Sequence, residues 1–368
     1  MNQTFEILLV AVPGLEATLA AEARGAGFAP ARAVEGGVLV TGDWPEVWRA
    51  NLVLRGASRV LVRVGAFRAM HLAQLDRRAR KFPWADFLRP DVPVRVEATT
   101  RASKIWHAGA AVERIETAIR ESLGAPISPD ASVRVLARIE DDLCTLSLDS
   151  SGEPLHKRGH KLAVAKAPMR ETMAAMFLAQ AGFTGEESVL DPMCGSGTFP
   201  IEAAEIAAGL QPGRDRAFAF ERFTTFEASA FAAMRAPAPM RVPGFRFYGR
   251  DLDAGAIRAS RDNSARAGVA DFTDFEQADV RTLAPPDGPP GLVTVNPPYA
   301  ERIGEKREVQ ALYAALGETL RARFVGWRVG LITSDITLVH AARLRWDKPG
   351  APVLHGGIRV RLWQAKVG

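Results

Sequence analysis

Eight residues, Asp191-Pro192-Met193-Cys194-Gly195-Ser196-Gly197-Thr198, join a short apolar run to a helical one. Gly195 and Gly197 permit a tight turn and a close approach of backbone to a ligand. The turn has neither the third glycine of a dinucleotide site nor the lysine of a phosphate loop. An acidic residue leads it instead, which would repel a pyrophosphate and hold a cationic amino-acid ligand. That points to a sulfonium compound. Asp251 and Asp279 each follow a later β-like run, where one carboxylate can receive ribose hydroxyls and the other an adenine amino group. Cys194 could be read as a thiolate nucleophile attacking a ring carbon, but a small residue packed beside the ligand accounts for it better.

The second constellation is Asn296-Pro297-Pro298-Tyr299. The side-chain carbonyl of Asn296 and the backbone carbonyl of Pro297 are acceptors suited to an exocyclic base amine, and they bind more strongly as that nitrogen becomes tetrahedral. The prolines hold the carbonyl rigid, and Tyr299 can stack on a flipped or single-stranded base. The bland alternative is a strand stopped by two prolines.

These groups need a scaffold that brings them to one edge. From Ser188 onward, short β-like runs alternate with helical periods, the pattern of a doubly wound parallel sheet in an α/β fold. Strands are expected at 188–190, 245–249, 275–278 and 292–295, with a fifth at 329–332. Helices are expected over 254–267, capped by Asp253 or a neighbour and stopped by Gly268, and over about 308–324, where Leu312, Leu316, Leu320 and Phe324 form one stripe. The tail reads as an antiparallel pair, 344–346 with 358–363, around the turn Pro349 to Pro352. Upstream, alternating runs at 37–40, 59–64, 92–97, 133–139 and 145–148 predict an α+β region joined to the sheet domain through Asp149 to Gly152.

At 368 residues the chain exceeds one ordinary core, so two or three domains are expected. The amino terminus has no export pattern and no run is apolar enough to span a membrane. Two distant cysteines give neither a disulfide framework nor zinc spacing, so no metal is expected and a reducing, cytoplasmic setting fits. The net charge of +5 decides little by itself. Its distribution says more: Arg59, Arg63, Arg68, Arg77, Arg78, Arg80 and Lys81 fall in one stretch, and His156 to Lys161 continues basic to Lys166 and Arg170.

Taken together, Asp191 to Thr198 with Ile201-Glu202-Ala203-Ala204, and Asn296 to Tyr299 with Glu301-Arg302, resemble motifs of class I methyltransferases acting on guanine N2 in RNA. The segments 155–160 and 167–175 resemble the junction of the bacterial THUMP-containing family that modifies 23S ribosomal RNA, and 103–107 with 112–115 resembles its THUMP helix. The resemblance covers most of the chain, strongest from about Leu155 to Ile303 and weakest over the first fifty residues. Two positions depart from the pattern: Ala300 stands in place of glycine and His160 in place of tyrosine. A single methyltransferase domain is expected where some members carry two.

The resemblance implies a ferredoxin-like region at 1–55, a THUMP RNA-binding domain at 56–152, and a Rossmann-like methyltransferase domain at 153–368 with a seven-stranded, mostly parallel sheet. It implies S-adenosyl-L-methionine as cofactor, held by Pro168, Asp191, Pro192, Cys194, Gly195, Ser196, Gly197, Thr198, Asp251, Asp279 and Asn296. It implies catalysis by Asn296, Pro297, Pro298 and Tyr299 on structured RNA, 23S rRNA or its assembly intermediate. Arg77, Arg78, Arg80, Lys81, Lys104, Lys157, Arg158 and Lys161 are the candidates for phosphate contacts, whereas Trp106 and His107 read as helix packing. The rivals are a tRNA guanine-N2 enzyme, a DNA adenine-N6 enzyme, and an assembly factor that binds the cofactor without turnover. No membrane partner is expected, and the oligomeric state is open.

Overall fold

The computed structural model describes residues 3–162, 169–236, 239–299 and 305–368. Two compact units divide them: one formed by 1–11, 20–155 and 213–236, the other by 12–19, 156–212 and 237–368.

The first unit is built on a seven-stranded sheet. Its elements are β1 (Phe5–Val10), the part of α1 (Glu16–Gly25) from residue 20 onward, β2 (Arg32–Val34), β3 (Gly37–Gly42), α2 (Trp44–Val53), β4 (Arg59–Arg68), α3 (Leu72–Arg80), β5 (Val94–Arg101), α4 (Ala108–Leu123), β6 (Val133–Glu140) and β7 (Leu143–Asp149). The strand order is β2-β3-β1-β4-β7-β6-β5, antiparallel throughout except for β5 on β6. Period-two alternation sets which face is covered: Phe5, Ile7 and Leu9 of β1 and Val60, Val62 and Val64 of β4 are buried. The acidic turn between β6 and β7 holds Asp141 and Asp142 at positive φ, which short polar side chains tolerate.

The second unit opens with α5 (Glu171–Gln180), β8 (Val189–Asp191) and α6 (Thr198–Ala208). Between α6 and the next strand the chain makes an excursion, 213–236, carrying α7 (Ala228–Arg235) and belonging to the first unit. There Phe220 and Phe231 pack against the buried ring of Trp48, and Gly213 N–H donates to the carbonyl of Leu52 at 3.0 Å. Nothing in the periodicity of 153–368 separates this excursion from the sheet around it; its phenylalanines are explained only by the partner they cover.

The unit then runs β9 (Phe247–Asp251), α8 (Ala254–Arg266), β10 (Thr273–Gln277), β11 (Leu292–Val295), α9 (Glu305–Arg323), β12 (Arg328–Thr333), α10 (Ile336–Ala341), β13 (Val353–His355) and β14 (Ile358–Lys366). The order is β10-β9-β8-β11-β12-β14-β13, with β10 to β12 parallel and β14 antiparallel to both its neighbours. This is the doubly wound sheet with an antiparallel end that the sequence predicts. Tyr313, Leu316 and Leu320 of α9, and Phe324 just after it, are buried against it.

The terminal hairpin is corrected. Its first arm is Val353–His355, not 344–346, which contributes a single bridge from Trp346 to Ala365. Gly356 and Gly357, both at positive φ, close it. Two consecutive left-handed glycines give the turn whose twist matches paired strands, while Pro349 and Pro352 cannot supply ladder donors.

Candidate cofactor and methyl-transfer site

The parallel strands end side by side. Along the sheet in the order β10, β9, β8, β11, their carboxyl ends bring Asp279, Asp251, Asp191 and Asn296 to one edge. The chain order reverses between β8 and β11, which makes this the switch point where open α/β sheets bind ligands.

Asp191 closes β8 and is 3 % exposed. Its Oδ1 accepts from Met193 N–H at 3.0 Å, and burial, with a contribution from Asp251, pushes its carboxyl up to about 8. A carboxyl so disfavoured as an anion gains most from an arriving cation, so the site fits a ligand carrying an ammonium and a sulfonium.

The turn beyond Asp191 is clamped from several directions. Gly195 and Gly197 take positive φ, and a Cβ at Gly197 would stand within 3.1 Å of Ser260, Ile201 and Phe275. Gly195 N–H donates to Asp251 Oδ2 at 2.9 Å, and Cys194 N–H to the Arg250 carbonyl at 2.9 Å. From α8, Ser260 Oγ donates to the Gly195 carbonyl at 2.9 Å and Asn263 Nδ2 to the Ser196 carbonyl at 3.0 Å. Ser260 and Asn263 were not singled out from sequence, though two buried polar residues at i and i+3 of a helix are a readable signal.

Pro192, Cys194, Ser196 and Thr198 are buried, while Met193 and Gly195 are the partly exposed members of the turn. Burial raises the Cys194 thiol far above its ordinary range, and the carboxyls of Asp191 and Asp251 push the same way. It is no thiolate nucleophile. Asp251 Oδ1 also accepts from Asp253 N–H, and Asp279 holds Arg281 through its amide and guanidinium, both at 2.9 Å. Each carboxylate retains lone pairs for a ligand hydroxyl or amine.

At the end of β11, Pro297 is buried, Asn296 and Tyr299 are half-buried and Pro298 is exposed. The Tyr299 hydroxyl donates to Asn296 Oδ1. Burial raises the phenol of Tyr299, so it stays protonated and acts as donor or stacking surface rather than base. Pro168, Ala300, Glu301 and Arg302 lie outside the described residues.

Beside the glycine turn a cavity of about 610 Å³ is lined by His156, Lys157, Lys161, Arg170 and His355 among others. Burial, together with the charges of Arg170, Lys157, Lys161 and Arg158, lowers His156 to about 4. Two expected phosphate contacts are corrected here. Arg158 is buried in an ion pair with Glu202, N to O 3.1 Å with both side chains 1 % exposed. Lys161 Nζ turns inward to Thr198 Oγ1 at 2.9 Å and the Met169 carbonyl at 2.7 Å, with Glu171 at 3.6 Å. A basic run in sequence looks solvated, yet buried carboxylates on α5 and α6 claim these two cations because neither partner is stable alone. Lys157 remains at the surface.

In the first unit Arg77, Arg78, Lys81 and Lys104 are exposed. Arg80 is half-buried and pairs with Asp76 at 2.8 Å and with Glu121. Trp106 is also corrected: it is exposed, not packed, while His107 caps α4 through Nδ1, which accepts from Ala110 N–H at 3.0 Å.

A family model described as RMKL-like, methyltransferase domain, matches residues 158–360, and one described as RlmL ferredoxin-like domain matches residues 6–61. The ribosomal RNA large subunit methyltransferase K/L of Syntrophotalea carbinolica is 34 % identical over 368 residues, covering 95 % of this chain and 52 % of that protein. The chain spans about half the length of the curated relatives it matches. SMU.472, assigned as a methyltransferase and solved with SAH, has a TM-score of 0.89 at 26 % identity, covering 100 % of this chain and 99 % of that one. A Listeria monocytogenes structure assigned as an N6-adenine-specific DNA methylase has a TM-score of 0.87 at 28 % identity, covering 100 % and 97 %. The clamped glycine turn, the edge of carboxylates and these likenesses agree: the chain belongs to the RMKL-like methyltransferase family, and its cofactor is S-adenosyl-L-methionine.

Proposed function

We propose that this chain methylates the exocyclic N2 amine of a guanine in large-subunit ribosomal RNA. The observation that carries the reading is the position of Asn296 to Tyr299: this amine-accepting loop ends β11, the strand paired with β8, whose own end opens the cofactor turn. The relatives' name, ribosomal RNA large subunit methyltransferase, supports the choice of RNA.

When bound, S-adenosyl-L-methionine supplies an electrophilic methyl group on a sulfonium. Asp191 orients the cationic end, and the backbone around Gly195 gives close approach. Asn296 Oδ1 and the Pro297 carbonyl accept hydrogen bonds from the two amine N–H groups, aim the nitrogen lone pair at the methyl, and strengthen as positive charge develops there; the N–C bond would form as the S–C bond breaks to a neutral thioether, and the surplus amine proton passes to solvent. Tyr299 presents its ring to the base. Its hydroxyl, now on Asn296 Oδ1, either shares that oxygen or yields it to the amine.

Methyl transfer from labelled cofactor into ribosomal RNA, tRNA and DNA from cells lacking the gene tests this reading, followed by mapping of N2-methylguanosine. Asn296→Ala should abolish transfer and leave cofactor affinity within about twofold, because its interaction matures only in the transition state. Labelling confined to DNA would overturn the substrate. Weakened cofactor binding with unchanged turnover at saturating cofactor would overturn the role of Asn296.

A further inference from the structure

Trp106 is 78 % exposed. An indole so placed adds nothing to packing, yet the loop that presents it, between β5 and α4, is firmly built. Ser103 Oγ and Lys104 N–H both donate to Asp142 Oδ1, at 2.9 and 2.8 Å. Thr100 Oγ1 donates to the Trp106 carbonyl at 3.0 Å, Ile105 is buried, and His107 caps the helix that follows. The backbone on both sides of the indole is therefore fixed, and the ring stands out from it with His107 edge-on at 5.7 Å.

The surroundings are basic and partly apolar. Lys104 Nζ lies 3.8 Å from Met70 Sδ, and Arg68, paired in register with Leu143, ends β4 at the same end of the sheet. Met70 and Leu143 are themselves exposed. Asp142 is spent on the loop's own donors, and Lys104 and Arg68 both help hold its carboxyl below the usual range. Of the other charges on this corner, Glu140 pairs with Arg101 and Arg138, and Asp141 is exposed on the turn.

We propose that Trp106 is a stacking platform for an unpaired base of the RNA, with Lys104 and Arg68 engaging the adjoining phosphates. The assignment rests on the RNA reading above and adds a contact point remote in sequence from the methyl-transfer loop. A preorganised aromatic face beside two cations matches a nucleotide, whose base offers a π-face and whose phosphate offers charge. A protein partner would call for a continuous apolar surface, whereas Met70, Leu143 and Trp106 are interspersed with charged groups.

The test titrates the full chain with two RNA probes of equal length, a hairpin with an unpaired loop and a blunt duplex. Trp106→Ala should weaken hairpin binding about tenfold and leave both the duplex affinity and the salt slope unchanged. Trp106→Phe should restore most of the loss. Lys104→Ala should weaken both probes and lower the salt slope by about one. Equal hairpin affinity of wild type and Trp106→Ala would overturn the platform while leaving the RNA reading intact. Failure of the wild-type chain to bind either probe would overturn the RNA reading itself. If Trp106→Ala binds RNA normally but loses self-association in sedimentation, the corner receives a second copy and the platform is again overturned.

Discussion

Asp191→Asn isolates the electrostatics of the cofactor site. The carboxyl of Asp191 is buried and pushed up to about 8 from an ordinary 3.8, so near neutrality most of the cofactor-free protein carries it protonated. If the cationic end of the cofactor needs the carboxylate, binding must first ionise it. Affinity should then rise about tenfold per pH unit from about pH 6 to about pH 7.5 and level off above about pH 8. Asparagine keeps the shape and the acceptor for Met193 N–H, so the variant should bind weakly and with a flat profile. Because the folded value is raised, the stabilisation due to the neutral carboxyl is complete below about 3.8 and is lost as pH rises through about 8. Each pH unit within that window costs about 1.4 kcal/mol. The cofactor-free variant should therefore unfold at increasingly higher temperature than wild type as pH climbs, and saturating cofactor should narrow the gap. Calorimetric titration with S-adenosylmethionine and thermal melts read both effects. A wild-type affinity independent of pH, or a variant with the same slope as wild type, would refute the reasoning.

Two further substitutions probe the corrected and the missed features. Arg158→Ala should destabilise the chain by about 3–5 kcal/mol by removing the cation paired with the buried carboxylate of Glu202, and Arg158→Met with Glu202→Leu should recover most of it in denaturant melts; loss of RNA affinity at unchanged stability would restore Arg158 as a phosphate contact. Gly249→Ala would place a Cβ 2.4 Å from the Phe275 ring and 2.9 Å from Cys194 Sγ, so it should cost about 1–3 kcal/mol and weaken cofactor binding by displacing the turn; an unchanged melting midpoint would contradict that packing.

The sequence was legible where local chemistry coincides with global position. Asp191 to Thr198 and Asn296 to Tyr299 are contiguous, their glycines and prolines have few alternative uses, and the alternation of β-like and helical runs orders the strands that carry them. Asp251 and Asp279 could be placed at that edge because each follows a strand whose neighbours the parallel topology dictates. By itself, then, the sequence determined the doubly wound sheet and the carboxylates and amide that its strand ends bring to one edge.

What only the tertiary structure decided depends on partners distant along the chain. Arg158 and Lys161 look solvated until Glu202, Glu171 and Thr198 are brought beside them, and the Arg158–Glu202 pair, 44 residues apart in sequence, leaves no local period. The excursion 213–236 reads as part of the domain around it until Trp48 supplies the surface its phenylalanines cover. Ser260 and Asn263 hold the cofactor turn only because α8 lays its polar spots against it. Trp106 points outward although its loop is fixed, since Ser103, Lys104 and Ile105 meet their anchors while the indole meets the edge of His107 and stays exposed. Hydrophobicity gives a residue a preference for the interior, but the surrounding fold decides whether there is an interior for it to enter.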